Sequence, residues 1–242
     1  MHGLGNDYVY IDCFQAPNAA FIAQVDIPAL ARRVSDRHIG VGSDGLVLIM
    51  PSDKADLRMR IFNADGSEAR MCGNAARCIA KYAFEQGICG ERMSLETMSG
   101  IKRLVVDAQS GLVTVEMGTS IGNPHKVFIM DEPVETLAIY GIEDTNVEWI
   151  NVLNKHEIMM RVWERGSEET MACGTGACAS AIAAMDRGLT ETEVTVHMPG
   201  GDVMVRRDEK GVIYLIGPAT EVFRGEYIGE EKGCDQTPIC NN

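Results

Sequence analysis

Met71-Cys72-Gly73-Asn74-Ala75-Ala76-Arg77-Cys78 lies between a polar, turn-rich run, Asn63-Ala64-Asp65-Gly66-Ser67-Glu68, and a stretch with helical spacing. Ile79, Tyr82 and Ala83 recur at that spacing and Gly87 stops it, so the pattern predicts a helix over 75–86. Cys72 then sits at the helix N-terminus, followed by Gly73, which lets backbone N–H groups come close to a ligand. The partial positive charge of such a terminus can lower a thiol pKa and can also hold an anion.

About a hundred residues later the same arrangement returns as Ala172-Cys173-Gly174-Thr175-Gly176-Ala177-Cys178, opening an Ala-rich helix that runs to Met185 and stops at Gly188. The echo is longer than the cysteine. Arg60-Ile61-Phe62-Asn63 is answered by Arg161-Val162-Trp163-Glu164, and Gly111-Leu112-Val113-Thr114-Val115 by Gly211-Val212-Ile213-Tyr214-Leu215. The period is too long for a solenoid, so the pattern is an internal duplication. Two similar halves are expected to pack about a pseudo-twofold axis, with Cys72 and Cys173 facing each other across the cleft.

The remaining elements read in order. A glycine-punctuated loop, His2-Gly3-Leu4-Gly5-Asn6-Asp7, leads into a strand at 8–12, and a short helix is expected at 29–36. Gly40-Val41-Gly42-Ser43-Asp44-Gly45 feeds a strand at 46–50, which excludes a dinucleotide fingerprint, because that motif opens a helix. Strands follow at 57–63, 93–97, 102–108 and 112–117, then at 126–130, 146–153, 158–164, 193–198, 203–207 and 212–216. The expected class is α+β: two pseudo-symmetric halves, each a strand-rich shell or barrel around a central helix, with the active site in the cleft between them. The halves are drawn at 1–118 and 119–217, with a C-terminal strand in 218–242 returning to the first.

Composition narrows the function. The 242 residues are 45% hydrophobic and 24% charged, as in a soluble globular protein. A net charge of −13 without a basic stripe argues against nucleic acid. No apolar run is long enough to span a bilayer and no export signal is visible, so the expected location is the cytoplasm, with the eight cysteines reduced. Two thiols at opposed helix N-termini suit a particular reaction. One thiolate takes a proton from carbon while the other thiol returns one from the opposite face, inverting a stereocentre. Cys72 and Cys173 could instead be small core residues, a redox pair or zinc ligands. The duplicated helix start weighs against the first. There is no Cys-x-x-Cys, and the Cys72/Cys78 and Cys173/Cys178 spacings do not match a zinc knuckle.

Six ordered motifs carry a resemblance: the His2–Asp7 loop, Phe62-Asn63-Ala64-Asp65-Gly66-Ser67-Glu68, Cys72-Gly73-Asn74, Gly122-Asn123-Pro124-His125, Glu164-Arg165-Gly166 and Ala172-Cys173-Gly174-Thr175-Gly176-Ala177. Together they resemble diaminopimelate epimerase over most of the chain. The resemblance implies an isomerase of lysine and peptidoglycan precursor biosynthesis that interconverts LL- and meso-diaminopimelate without pyridoxal phosphate, other cofactor or metal, as a homodimer. Cys72 and Cys173 become the acid/base pair. The amides of Gly73, Asn74, Gly174 and Thr175 would hold the reacting carboxylate. Asn6, Asn63, Asn123 and Asn146 would bind substrate, Arg165 would pair the distal carboxylate, and Glu164 would take an ammonium. His125 and Glu164 would tune which thiol is ionised. Gly45 stands where some members carry a glutamine, so a substrate contact there runs through backbone. The links at 118–122 and 133–145 are shorter than the family's usual ones, the strand that precedes residue 1 in the family is missing, and the tail after Tyr227 has no family counterpart. The alternatives within reach of these residues are a proline or hydroxyproline racemase of the same fold, which has a histidine where Asn74 stands, and a thiol redox protein.

Overall fold

A computed structural model of the chain describes residues 1–121, 124–142, 144–165 and 168–228. The first half contains β1 (His2–Gly3), β2 (Asn6–Asp7), β3 (Val9–Asp12), α1 (Ala16–Ile22), α2 (Ile27–Ser35), β4 (Gly45–Met50), β5 (Leu57–Asn63) and β6 (Glu68–Ala69), then α3 (Gly73–Glu85), β7 (Arg92–Thr97), β8 (Gly100–Val106) and β9 (Val113–Gly118). The second contains β10 (His125–Ile129), β11 (Asn146–Asn154), β12 (Glu157–Glu164), β13 (Glu168–Thr170), α4 (Gly174–Asp186), β14 (Glu193–Met198), β15 (Gly201–Arg207) and β16 (Ile213–Gly217).

The pairing pattern repeats strand for strand. β3 lies parallel to β4, β4 antiparallel to β5, β5 parallel to β7, and β7, β8 and β9 form an antiparallel meander. In the same sequence β10 lies parallel to β11, β11 antiparallel to β12, β12 parallel to β14, and β14, β15 and β16 form the second meander. The halves join through the antiparallel pair β9–β16, with Leu215 opposite Val115. An antiparallel pair of equivalent strands is what a local twofold axis generates, so the duplication is visible in the topology itself.

Each half curls its sheet over one helix. On β4, Val47 and Ile49 face α3 while Leu46 and Leu48 face α2 on the other side, which is why the strand is apolar throughout. The inner faces of both halves, with α3 and α4, form one continuous core. The outer faces differ. In the first half α2 covers the sheet with Leu30, Ala31 and Val34, and it is capped by Asp26, whose carboxylate accepts the Ala29 N–H at 3.1 Å. In the second half a single 3₁₀ turn, Val134–Thr136, and Ile139 cover Val147 and Trp149. Residues 134–142 thus form an outer cover of that half.

Three expectations need correction. The Ala16–Ile22 helix was not expected: it has only two turns, a proline in the first, and no side-chain cap. No strand forms in the described part of 218–228, and the return to the first half is the single bridge between His2 and Thr220. The first central helix starts at Gly73 rather than at the expected 75, while Cys72 and Cys173 stand at the helix N-termini as expected, each as the N-cap residue with extended backbone.

Candidate functional site

The two helix starts meet. A Cβ built on Gly174 would lie 3.8 Å from the Gly73 Cα and 3.5 Å from the Asn74 Oδ1, and Cβ atoms at Gly73 and Gly174 would reach 2.9 and 3.0 Å from the same Leu215 methyl. Glycine at both positions is what permits this approach. Cys72 and Cys173 therefore open onto one cavity of about 1310 Å³, lined also by Asn6, Tyr8, Asn63, Asn74, Asn146, Glu164, Arg165 and Thr175. Both cysteines line the same space, one from each half.

The Cys72 side of the cavity is a network of amides. Asn6 donates through Nδ2 to Asp44 Oδ2 at 2.8 Å, which leaves its Oδ1 facing Asn74 Nδ2 at 3.2 Å and the Cys72 Sγ at 3.5 Å. Asn74 Nδ2 also reaches the Ala172 carbonyl at 3.5 Å, so this residue ties the first helix start to the second half. Burial pushes the Cys72 thiol up; the Ala75 and Asn74 amides and the Arg77 guanidinium pull it back, while Glu164 adds to the rise.

Carboxylates surround Cys173 instead. Its Sγ accepts the Gly176 N–H at 3.4 Å and lies 3.4 Å from the Thr175 hydroxyl. Burial first, then Glu164, push this thiol well above the ordinary range, and Glu148 pushes it further. Glu164 accepts the Thr170 hydroxyl at 2.6 Å, and its own carboxyl is raised by burial. Behind it, His125 Nδ1 is 2.7 Å from Glu148 Oε1, both side chains being almost wholly enclosed. A Cβ at Gly176 would lie 2.7 Å from that same Glu148 oxygen, so the carboxylate sits over the first turn of α4.

Most of the residues expected at the site are brought together: Cys72, Cys173, Asn6, Asn63, Gly73, Asn74, Asn146, Glu164, Arg165, Gly174 and Thr175 all line the cavity. Asn63 donates to Ser67 Oγ at 3.0 Å, and Asn146 accepts the Arg165 backbone N–H at 2.9 Å, fixing the segment that carries the guanidinium. Two are placed elsewhere. Gly45 is buried in β4, where a Cβ would fall 2.0 Å from the Phe62 carbonyl, and it is not part of the cavity wall. His125 stands behind the wall, paired with Glu148. Asn123 lies outside the described residues.

Glu148 and Arg77 were not singled out from the sequence, although a signal existed for both. Asn146, Glu148 and Ile150 share one face of a strand, which puts an acid on the core side. Arg77 follows Asn74 by three residues, on the buried side of an Ala-rich helix. Replacing Glu148 by alanine strands the buried His125 nitrogen. We expect a loss of at least roughly 1–3 kcal/mol, the cost of an unsatisfied buried polar group, read from urea unfolding. Unchanged unfolding would mean that the pair contributes nothing to the fold.

The six cysteines among the described residues are unbridged, and among these residues no group of three or more His, Cys, Asp or Glu side chains is placed to hold a metal ion. No helix in them is long and apolar enough to cross a membrane.

Comparison with known proteins agrees with this geometry. The family model described as diaminopimelate epimerase matches residues 1–121 and again 119–222, one match for each half. The diaminopimelate epimerase of Pelotomaculum thermopropionicum is 43% identical over 274 aligned positions, covering 93% of this chain and 96% of that one. That alignment is longer than the 242-residue chain, so the relative carries internal residues that this chain lacks. Among solved structures, a predicted epimerase from Pseudomonas aeruginosa superposes with a TM-score of 0.70 at 18% identity, covering 93% and 94% of the two chains. A hydroxyproline epimerase from Agrobacterium vitis superposes at 0.55 and 14% identity, covering 77% and 76%. These two show a shared fold. With a family model matched over both halves and a relative at 43% identity across nearly the whole length, the chain belongs to the diaminopimelate epimerase family.

Proposed function

We propose that the protein inverts one α-carbon of diaminopimelate, interconverting the LL and meso forms, by two-base proton transfer between Cys72 and Cys173. The observation that carries this reading is the meeting of two helix N-termini, each opened by Cys-Gly, at one cavity.

In this scheme one sulfur is a thiolate and the other a thiol. The thiolate takes the α-proton, breaking C–H and forming S–H, and negative charge moves into the neighbouring carboxylate. The thiol on the opposite face gives its proton to the carbon, so a new C–H bond forms as its own S–H bond breaks. The product leaves with the two sulfurs in exchanged states, ready for the reverse reaction. The carboxylate is held by amides of residues 73–74 and 174–175. A helix terminus alone is worth only ~0.3–2 kcal/mol on a fixed charge. An aimed N–H donor in a dry site is worth more, roughly 2.7–4 kcal/mol on the developing charge, and two converging termini present several.

The far end of the substrate is an amino-acid group as well. Arg165 takes its carboxylate in a bidentate pair, with Asn6, Asn63, Asn123 and Asn146 supplying neutral contacts and Glu164 an ammonium partner. The cavity, about 1310 Å³, is larger than a seven-carbon diamino acid fills. Domains at 1–118 and 119–217 therefore close over the substrate and expel water, which strengthens the amide contacts. The proposal extends to a cytoplasmic homodimer; sedimentation equilibrium returning only the 26.4 kDa mass of one chain would remove the dimer.

Deuterium wash-in from D2O, followed with diaminopimelate and proline side by side, tests the substrate. Exchange at the α-carbon of diaminopimelate is expected, with none into proline. The opposite preference would transfer the chain's chemistry to the cyclic imino acids.

A further inference from the structure

The side-chain contacts beside Cys72 form one chain whose two ends are charged. At one end, Asp44 Oδ1 pairs with Arg37 Nη2 at 2.9 Å, and Asp44 Oδ2 accepts the Asp7 backbone N–H at 3.0 Å. At the other end lies Arg77, wholly buried, whose Nε donates to the Pro218 carbonyl at 3.1 Å. Asn6 and Asn74 connect them. Asp44 Oδ2 is 2.8 Å from one end of the Asn6 amide, Arg77 Nη2 is 2.8 Å from one end of the Asn74 amide, and the remaining ends meet at 3.2 Å. A carboxamide turned end for end keeps its shape, so its orientation follows from its partners. Here both ends of the chain dictate it. A carboxylate only accepts, so Asn6 turns its Nδ2 to Asp44 and its Oδ1 the other way. A guanidinium only donates, so Asn74 turns its Oδ1 to Arg77 and its Nδ2 to Asn6 and to the Ala172 carbonyl, 3.5 Å away. The two arguments start from opposite charges and agree on one atom: Asn6 Oδ1 is an acceptor, and it lies 3.5 Å from the Cys72 Sγ. The Asn74 amide takes one of its lone pairs and leaves the other for the Cys72 S–H.

We propose that Asp44 is a positioning residue for Cys72: through Asn6 it sets a carbonyl oxygen against the sulfur, and that oxygen takes the S–H and fixes the direction of the thiol proton. Arg77 fixes the same chain from its far end, through Asn74. The contact exists only while Cys72 carries its proton, because an oxygen lone pair repels a thiolate. Cys173 meets a different pair, the Thr175 hydroxyl and the Gly176 N–H, each 3.4 Å from its sulfur. For its meaning in turnover the proposal rests on the two-cysteine reading, in which Cys72 is the proton donor in one of the two directions.

The test is the infrared S–H stretching band of Cys72, read without substrate and below the pH at which the thiol titrates. Each protein is measured against the same protein carrying Cys72→Ala, so that the other thiols subtract. In the wild-type protein the band is expected at the lowered frequency of a hydrogen-bonded thiol. Asp44→Ala frees the Asn6 amide to turn and is expected to move the band up to the frequency of an unbonded thiol. Asp44→Asn can still offer a carbonyl oxygen to Asn6 Nδ2 and the Asp7 N–H, and is expected to keep the wild-type band. A merely structural role for Asp44 would leave the frequency unchanged in every folded variant. A wild-type band at the unbonded frequency overturns the proposal, as does an unmoved band in folded Asp44→Ala or a folded Asp44→Asn that matches Asp44→Ala. If Asp44→Ala does not fold, Asp44→Leu, apolar and of nearly the same shape as the aspartate, carries the same expectation and the same overturning result. The spectrum needs no turnover, so this result stands apart from whether diaminopimelate is the substrate.

Discussion

Alanine in place of Cys72 or Cys173 is expected to lower inversion of LL-diaminopimelate by roughly 10²–10⁴-fold or more, the range for loss of a positioned acid or base. In the proposed scheme neither sulfur can replace the other, because each serves one face of the α-carbon; the two cysteines line one cavity from the starts of different helices. The single variants should also part in a second measurement. With Cys173 gone, Cys72 can still remove and return a proton on its own face, so the α-hydrogen of one epimer exchanges with D2O while its configuration is retained. With Cys72 gone, the other epimer should exchange instead. Chiral chromatography of the recovered substrate with mass detection reads both quantities. Inversion at the wild-type rate in either variant would reject the two-base scheme.

Arg165→Lys is expected to raise KM about 10–100-fold, with a smaller change in kcat. The residue lines the cavity, its backbone is pinned by the Asn146 amide, and its guanidinium makes no ion pair among the described residues. A planar fork meets a carboxylate with two parallel hydrogen bonds, which an ammonium cannot reproduce. Hydrogen bonds to charged groups are worth about 1.5–3 kcal/mol, and each 1.4 kcal/mol is about tenfold in affinity. The effect should fall on KM because the distal carboxylate is gripped equally in ground and transition states. An unchanged KM would remove Arg165 from the substrate grip.

Legibility in the sequence followed the range of the interactions. Both central helices, the three-strand tail of each half and the strand delivering each Cys-Gly loop follow from local periodicity, and Leu57–Asn63 and Glu193–Met198 fall on their expected limits. The first helix, Ala16–Ile22, was not legible, because two turns with a proline and no cap depend on packing against β3 and the neighbouring apolar side chains. Gly45 was expected to reach substrate by analogy. In the structure it is buried in β4 and is not among the residues that line the cavity.

By itself the sequence determined the duplication, the helix start at each Cys-Gly and the family, since all three are written in residue order and spacing. What only the tertiary structure decided is the charge around each sulfur. Arg77, Glu148 and Glu164 come from a helix and two strands far apart in the chain, and their fields act through space on whichever thiol the packing sets beside them. Two cysteines that read alike in the chain become unlike once one sulfur faces the Asn6 amide oxygen and the other the Thr175 hydroxyl and the Gly176 N–H.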